Sequence, residues 1–471
     1  MTVELDDVQG LVVRGYGDLP AARYVLAHIE DGAAARAWLR TIADQVDTGA
    51  TSPSRRAVGV ALGATGLEKL RLPRETVQGF SYEFTGGMTE EPRSRLLGDV
   101  GESGPSQWAW GGPGSAAVDV VLLLYGDDEE AAGALLEEHV AALSRHQLRV
   151  LKALDTAPLV DREHFGFRDG VSQPQIEELT SARSRDSVRA GEFLLGHPNG
   201  YGQFTRRPLV DPQADPAGLL ADDVEGSGWR DLGRNGSYLV FRQLGQRVGA
   251  FWDFCDRATR RPDGCSDREE RIRLASKMVG RWPLGAPLTL SPDADRADLA
   301  DANDFGYFQQ DREGLRCPVG AHVRRSHPRD SLDPDPGSAR SVEVGNLHRL
   351  LRRGRQYGRF LPREEVLDTV QRGAWDAEER GLHFVCLGAN LSRQFEFVQH
   401  SWIGNPRFAG LADSPDPLLS ADPAGERTFS VPGDPVRRRY TGLPTFVTVR
   451  GGGYFFLPSV RALRYLAALH G

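Results

Sequence analysis

The feature that most constrains this chain is a repeated alternation of short apolar runs with segments of helical period. Residues 24–29 are apolar, and 33–46 follow with Ala35, Trp38, Leu39 and Ile42 at helical spacing. Residues 118–125 form a second apolar run, closed by Gly126, Asp127 and Asp128. The next segment, 129–143, carries Leu135, Leu136, Val140 and Leu143 on one face. Its acidic start suits the positive end of a helix dipole. The habit returns later: 237–243 reads as a strand, 248–258 as an amphipathic helix, 382–387 as a strand and 391–403 as a helix. The chain closes with TFVTVR-GGG-YFFL, which reads as a hairpin, and a helix over 459–469. Strands alternating with helices in this way predict an α+β fold, with helices packed on one face of a largely antiparallel sheet. A length of 471 residues allows two such halves packed together. They divide as 1–160, a connecting region 161–235, and 236–471.

Composition narrows the function classes. Hydrophobic residues are 40% and charged residues 26%, ordinary for a globular protein. With 57 basic and 65 acidic residues the net charge is −8, which argues against phosphate-driven nucleic-acid binding and against an anionic membrane surface. No apolar stretch approaches the roughly 20 residues needed to span a bilayer. The opening MTVELDDVQGLVV is acidic where a secretory signal would be basic, so a cytoplasmic location is expected. Cys255, Cys265, Cys317 and Cys386 are scattered without CxxC spacing, which predicts neither a disulfide framework nor a structural zinc site. Three long Gly/Pro/Asp-rich stretches, 197–235, 291–314 and 326–345, are candidates for functional or mobile loops.

Four stretches could carry chemistry. In HFGFRDGVSQP, Gly166 and Gly170 flank Arg168 and Asp169, marking a tight turn where the backbone approaches something closely, and taken alone the stretch reads as a turn with a solvated ion pair. In CPVGAHVRRSHPRD, His322 lies among small and apolar residues, and a neutral imidazole is a common ligand for haem iron and other transition metals. His327 and His348 compete with it, the first beside a polar loop and the second in an arginine-rich helix candidate. That candidate, HRLLRRGRQYGRF (348–360), reads on charge alone as a basic surface helix ending at Gly354. In GLHFVCLGAN, Leu382 and Phe384 share one side of a strand.

Taken in order, GFRDG, CPVGAHVR, RLLRRGRQYG, GLHFVCL, RQFEFVQ and the terminal FVTVRGGGYFFLPS resemble the dye-decolorising peroxidases, in their longer, more elaborated branch. DVQG at 7–10, GEFLLGHPNGYG, NGSYLVFRQL and KMVGRWPLGAPL extend the resemblance over nearly the whole chain. It implies two ferredoxin-like halves enclosing one haem b per chain. Asp169 matches the distal aspartate of that family, Arg352 its distal arginine, His322 its axial iron ligand, and Leu382 with Phe384 the apolar wall of the distal pocket. Two positions depart from the family pattern: His327 stands where Asn is frequent, and Gln356 where Pro is frequent.

The implied activity is reduction of hydrogen peroxide and one-electron oxidation of dyes, phenolic or other small aromatic donors. Asp169 would move the peroxide proton and Arg352 would stabilise developing negative charge. An aspartate base, with a reference pKa of about 3.9, predicts an acidic optimum. Donors too large for the cavity would react at the surface through a relay, for which Trp282, Trp375 and Trp402 are candidates. Alternatives are a haem-binding or iron-handling protein with little turnover, a dedicated biosynthetic oxidase, and a non-haem enzyme whose histidines are structural. A homo-oligomer is compatible with all of them.

Overall fold

The computed structural model describes residues 2–180, 184, 187–368, 375–420, 427–433 and 435–469. Its first half runs β1 (Ala21–Ile29), α1 (Gly32–Ile42), β2 (Arg56–Leu62), β3 (Val120–Gly126), α2 (Glu129–Arg145) and β4 (Leu148–Asp155). Helices α1 and α2 start where Asp31 and Asp128 accept the amides of Ala34 and Ala131, so each N-terminus has a side-chain cap. The second half runs β5 (Ser237–Gln246), α3 (Val248–Ala258), α4 (Arg268–Val279), α5 (His322–Ser326), β6 (Leu351–Arg352), β7 (Arg355–Tyr357), β8 (Gly381–Gly388) and β9 (Val447–Leu457), followed by α6 (Val460–Ala468). Each half therefore repeats a ferredoxin-like arrangement, and the strands of both join in one antiparallel sheet ordered β6-β8-β5-β9-β2-β3-β1-β4, with β7 also on β8. The halves meet at the pairing of Phe456 with Leu62.

Both faces of this sheet are buried, which is why β2 and β3 read as near-continuous apolar runs rather than alternating. On β3, Val120, Leu122 and Leu124 enter one core with Trp38 and Leu39 of α1. Val121, Leu123 and Tyr125 enter a second core with Leu239 and Phe241 of β5. A third core gathers Phe165 and Phe167 against Phe251 and Trp252 of α3 and lies beside the cavity described below. The closing helix α6 packs on α1 of the first half, and Gln9 ties the N-terminal segment to the Pro458 carbonyl at 2.8 Å.

Several sequence expectations change. Strands β2 and β4 were not singled out by the apolar runs. The terminal GGG is not a hairpin turn, because β9 passes straight through it. A Cβ on Gly451 would lie 2.5 Å from Trp110 Nε1, so glycine is there for close approach rather than for turning. The arginine-rich stretch 348–360 is not a helix: it holds β6 and β7, both paired with β8. The 391–403 segment is helical, but as π-type turns at Ser392–Glu396 and Val398–Ile403. The long loops are pinned. In 197–235, buried Arg207 bonds Asp231 at 2.6 Å and Glu225 at 2.9 Å, and also pairs with Asp223. In 326–345, Asp330 accepts the amides of Tyr307 and Phe308. No described helix is long and apolar enough to cross a membrane.

Candidate functional site

Asp169, Arg352, His322, Leu382 and Phe384 all line one cavity of about 290 Å³ between the sheet and the helices of the second half. His327 lines it as well, whereas His348 is elsewhere, stacked on Phe397 at 4.1 Å with Nδ1 on the Arg393 carbonyl. Sheet register builds one wall. Arg242 pairs with Phe384 and Leu244 with Leu382 across β5 and β8, so the side chains of these four residues share a face.

Asp169 is delivered by a loop with alternating anchors. Phe165 and Phe167 are buried, at ring distances of 4.6 Å to Phe251 and 6.3 Å to Trp252. Gly166 and Gly170 take φ of +98° and +84°, a region costly for residues with a Cβ. The turn sends Arg168 outward to Asp301, at 2.6 Å, and Asp169 inward. The neighbours in sequence are thus not each other's ion pair. Asp169 Oδ1 accepts from Arg352 Nη1 at 2.9 Å and from the Gly170 amide at 2.6 Å. Burial raises the Asp169 pKa, but the Arg352 charge and these hydrogen bonds outweigh it, holding the carboxyl below its ordinary value. Oδ2 carries no hydrogen bond from the described residues and remains available for a proton.

His322 opens α5, and its Nδ1 donates to Asp416 Oδ2 at 2.9 Å. Asp416 is fully buried, with Oδ1 accepting the amides of Leu418 at 2.9 Å and Leu419 at 2.8 Å. With Nδ1 so committed, the other ring nitrogen keeps its lone pair for a ligand. The basic run after His322 is not a solvated face. Arg325 is buried and donates to the carbonyls of Trp402 at 2.5 Å and Asn405 at 3.0 Å, and to that of Ser414. Arg324, also buried, bonds the Asp311 and Cys317 carbonyls at 2.9 and 2.8 Å. Arg325 thereby fastens the short helix to the segment that leads into Asp416, and Arg324 fastens it to the loop that precedes it.

His327 differs from His322 in both nitrogens. Nδ1 meets Ser172 Oγ at 3.2 Å and Nε2 meets Arg349 Nη1 at 3.1 Å. Burial, reinforced by the surrounding arginines, pushes its pKa well below the ordinary value, so the ring is neutral. Trp282, Trp375 and Trp402 are all buried.

Sequence reasoning missed Asp416, Glu163 and the buried Arg242–Asp99 pair, of which the last three line the cavity. A lone Asp ninety-four positions after His322 has no spacing signal, and Glu163 sits just outside the glycine-flanked turn.

No protein-family model matches the chain. Among curated proteins it is 30% identical over 454 residues to peroxidase 2 of Mycetinis scorodonius, covering 90% of this chain and 79% of that one. It is also 30% identical over 382 residues to a multifunctional dye peroxidase of Amycolatopsis, covering 77% and 74% respectively. Among solved structures, an ancestral D-type dye-decolorizing peroxidase superposes with a TM-score of 0.78 at 27% identity, covering 98% of this chain and 99% of that one. A fungal DyP-type peroxidase from Auricularia auricula-judae superposes with a TM-score of 0.79 at 25% identity, covering 99% and 100%.

Proposed function

Because the chain belongs to the dye-decolorising peroxidase family and is a peroxidase that oxidises dyes, we propose that its cavity holds one haem b and that Asp169, Arg352 and His322 act on hydrogen peroxide there. The observation that carries this reading is the shared cavity: His322, oriented by Asp416, and the Asp169–Arg352 pair line the same space. The lining suits the group. Leu382, Phe384, Val279, Leu350, Val398 and Ile403 offer apolar surface for a macrocycle. Arg281 lines the cavity with no carboxylate partner among the described residues, and can receive an acidic substituent of the ring. His322 would hold the iron through Nε2, and Asp416 would keep that nitrogen basic.

A bound haem supplies an electrophilic iron for peroxide and a store for the oxidising equivalents. The chain's own residues do the rest. Asp169, ionised because Arg352 lowers its pKa, takes a proton on Oδ2 from peroxide and returns it to the departing oxygen as water forms. Arg352 cannot lose its proton, and its free N–H groups stabilise negative charge as the O–O bond lengthens. Leu382 and Phe384 restrict water and bulky molecules on that side of the cavity. Small phenolic or other aromatic donors are the reducing partners. The alternative of a haem- or iron-handling protein with little turnover is not favoured, since the relatives are themselves peroxidases.

The test is spectroscopic. Haem-loaded protein should show a Soret band and a pyridine haemochrome spectrum of haem b at one per chain. His322→Ala should lose the band, whereas Asp169→Asn should keep it and lose rapid reaction with peroxide. A His322→Ala protein with an unchanged Soret band overturns the ligand assignment.

A further inference from the structure

We propose that Glu163 and Gln246 form a donor-binding recess in the peroxidase cavity, where a small phenol is held and its hydroxyl proton passes to the Glu163 carboxylate. The inference rests on the peroxidase reading and adds to it a second acid–base group with its own substrate.

The recess is built by strand register. On β5, Leu244 and Gln246 are two positions apart and so share a face, and both line the cavity. Their partners on β9, Val449 and Val447, line it too. Phe165 and Phe167 complete an apolar slot from the loop side. Glu163 stands at its polar end, where Gln246 Nε2 donates to Oε2 at 2.7 Å. The amides of Phe165 and Phe167 donate to Oε2 and Oε1 at 2.8 and 2.9 Å. An apolar slot ending in one hydrogen-bond acceptor matches a phenol: ring against Leu244, Val447 and Val449, hydroxyl toward the carboxylate.

Glu163 has no ion-pair partner among the described residues, unlike Asp169 with its arginine. Burial therefore dominates, pushing its pKa up to about 7 despite the three hydrogen bonds. Two carboxylates on one loop are driven in opposite directions, one kept ionised and the other able to gain and lose a proton near neutrality. That division matches two different proton tasks. Asp169 handles peroxide. Oxidation of a phenol to a phenoxyl radical removes one electron and one proton, breaking the O–H bond. Two phenols supply two electrons and two protons, and these reduce one hydrogen peroxide to two waters: H2O2 + 2 ArOH → 2 H2O + 2 ArO•. Glu163 is the group that accepts each phenol proton and releases it toward the water being formed.

The test compares two donors in haem-loaded protein. 2,6-Dimethoxyphenol carries the transferable proton, and ferrocyanide gives an electron without one. In Glu163→Gln, kcat/KM for the phenol should fall by about 100-fold, the scale of a lost general base. The ferrocyanide rate and the rapid reaction with peroxide should stay within about twofold of wild type. Calorimetric titration of the phenol into resting protein without peroxide supplies a readout independent of turnover, and Gln246→Leu should weaken that binding about tenfold. Gln246→Leu also carries the test should Glu163→Gln fold poorly. An equal loss for both donors overturns the inference by assigning Glu163 a structural role, and so does an unchanged phenol rate. Failure of wild type to turn over ferrocyanide with peroxide would instead overturn the peroxidase reading itself.

Discussion

His322 donates its Nδ1–H to Asp416 across 2.9 Å, and the accepting carboxylate has no exposed surface. Two backbone amides from Leu418 and Leu419 hold the carboxylate's other oxygen, so the imidazole is fixed in both tautomer and direction before any ligand arrives. Asp416→Asn keeps a hydrogen-bond acceptor but removes the charge. Haem affinity should fall by roughly 10–100-fold. Titration of haem into apo-protein measures it, and an affinity equal to wild type would show that the buried carboxylate does nothing for the ligand.

The Asp169–Arg352 contact sets a pH dependence. Arg352 holds the Asp169 pKa below its ordinary value, so the base form is present above that lowered pKa and is lost as pH falls through it. The acid limb of the peroxide step should lie below about pH 3.9, the ordinary aspartate value. Arg352→Leu removes the stabilising charge, and the limb should move to higher pH as well as the rate falling. Stopped-flow rates from pH 2.5 to about 7 decide this. A limb that stays put in Arg352→Leu would mean another group titrates.

Arg325 should matter far more for stability than its place in a charged run suggests. It is buried and serves four backbone carbonyls, those of Gly320, Trp402, Asn405 and Ser414, with no carboxylate partner at hydrogen-bond distance among the described residues. Arg325→Ala leaves those carbonyls unsatisfied and opens space around α5. A loss of about 3 kcal/mol or more is expected. The urea midpoint of the apo-protein checks it, and a shift equivalent to under about 0.5 kcal/mol, the range of ordinary surface substitutions, would contradict it.

His327 offers the opposite contrast to His322. Its two nitrogens are taken by Ser172 and Arg349, so it acts as a strut in the cavity wall. His327→Ala should keep the Soret band while losing about 1–3 kcal/mol of stability, because buried polar partners lose their contacts. Loss of the band with intact folding would reverse the roles of the two histidines.

Much of the fold was legible because local chemistry and tertiary demand agree. Helix α3 occupies 248–258, as its periodicity predicts, and the runs at 237–243 and 382–387 lie within β5 and β8. Legibility failed where one residue type serves two physical ends. The glycines of β9 look like a turn but make room for Trp110. The arginines of 348–360 look solvated, yet Arg353 donates to the Leu11 and Val12 carbonyls and Arg355 to that of Tyr16, at 2.7, 3.0 and 2.7 Å. A guanidinium held by backbone oxygens leaves no trace in charge patterning, since such partners are present at every residue.

The sequence by itself determined the layered α+β plan, the glycine-flanked turn that presents Asp169, and the candidate histidines. These follow from periodicity and from backbone conformations that only certain residues accept. Tertiary structure alone decided that Arg352 reaches Asp169 from 183 positions away, that a buried carboxylate meets His322 while Ser172 and Arg349 meet His327, and that Glu163 faces the same cavity with no ion-pair partner among the described residues. Proton affinity and ligand readiness are set by what lies within a few ångströms in space. Sequence separation carries no information about that distance once the chain has folded back on itself.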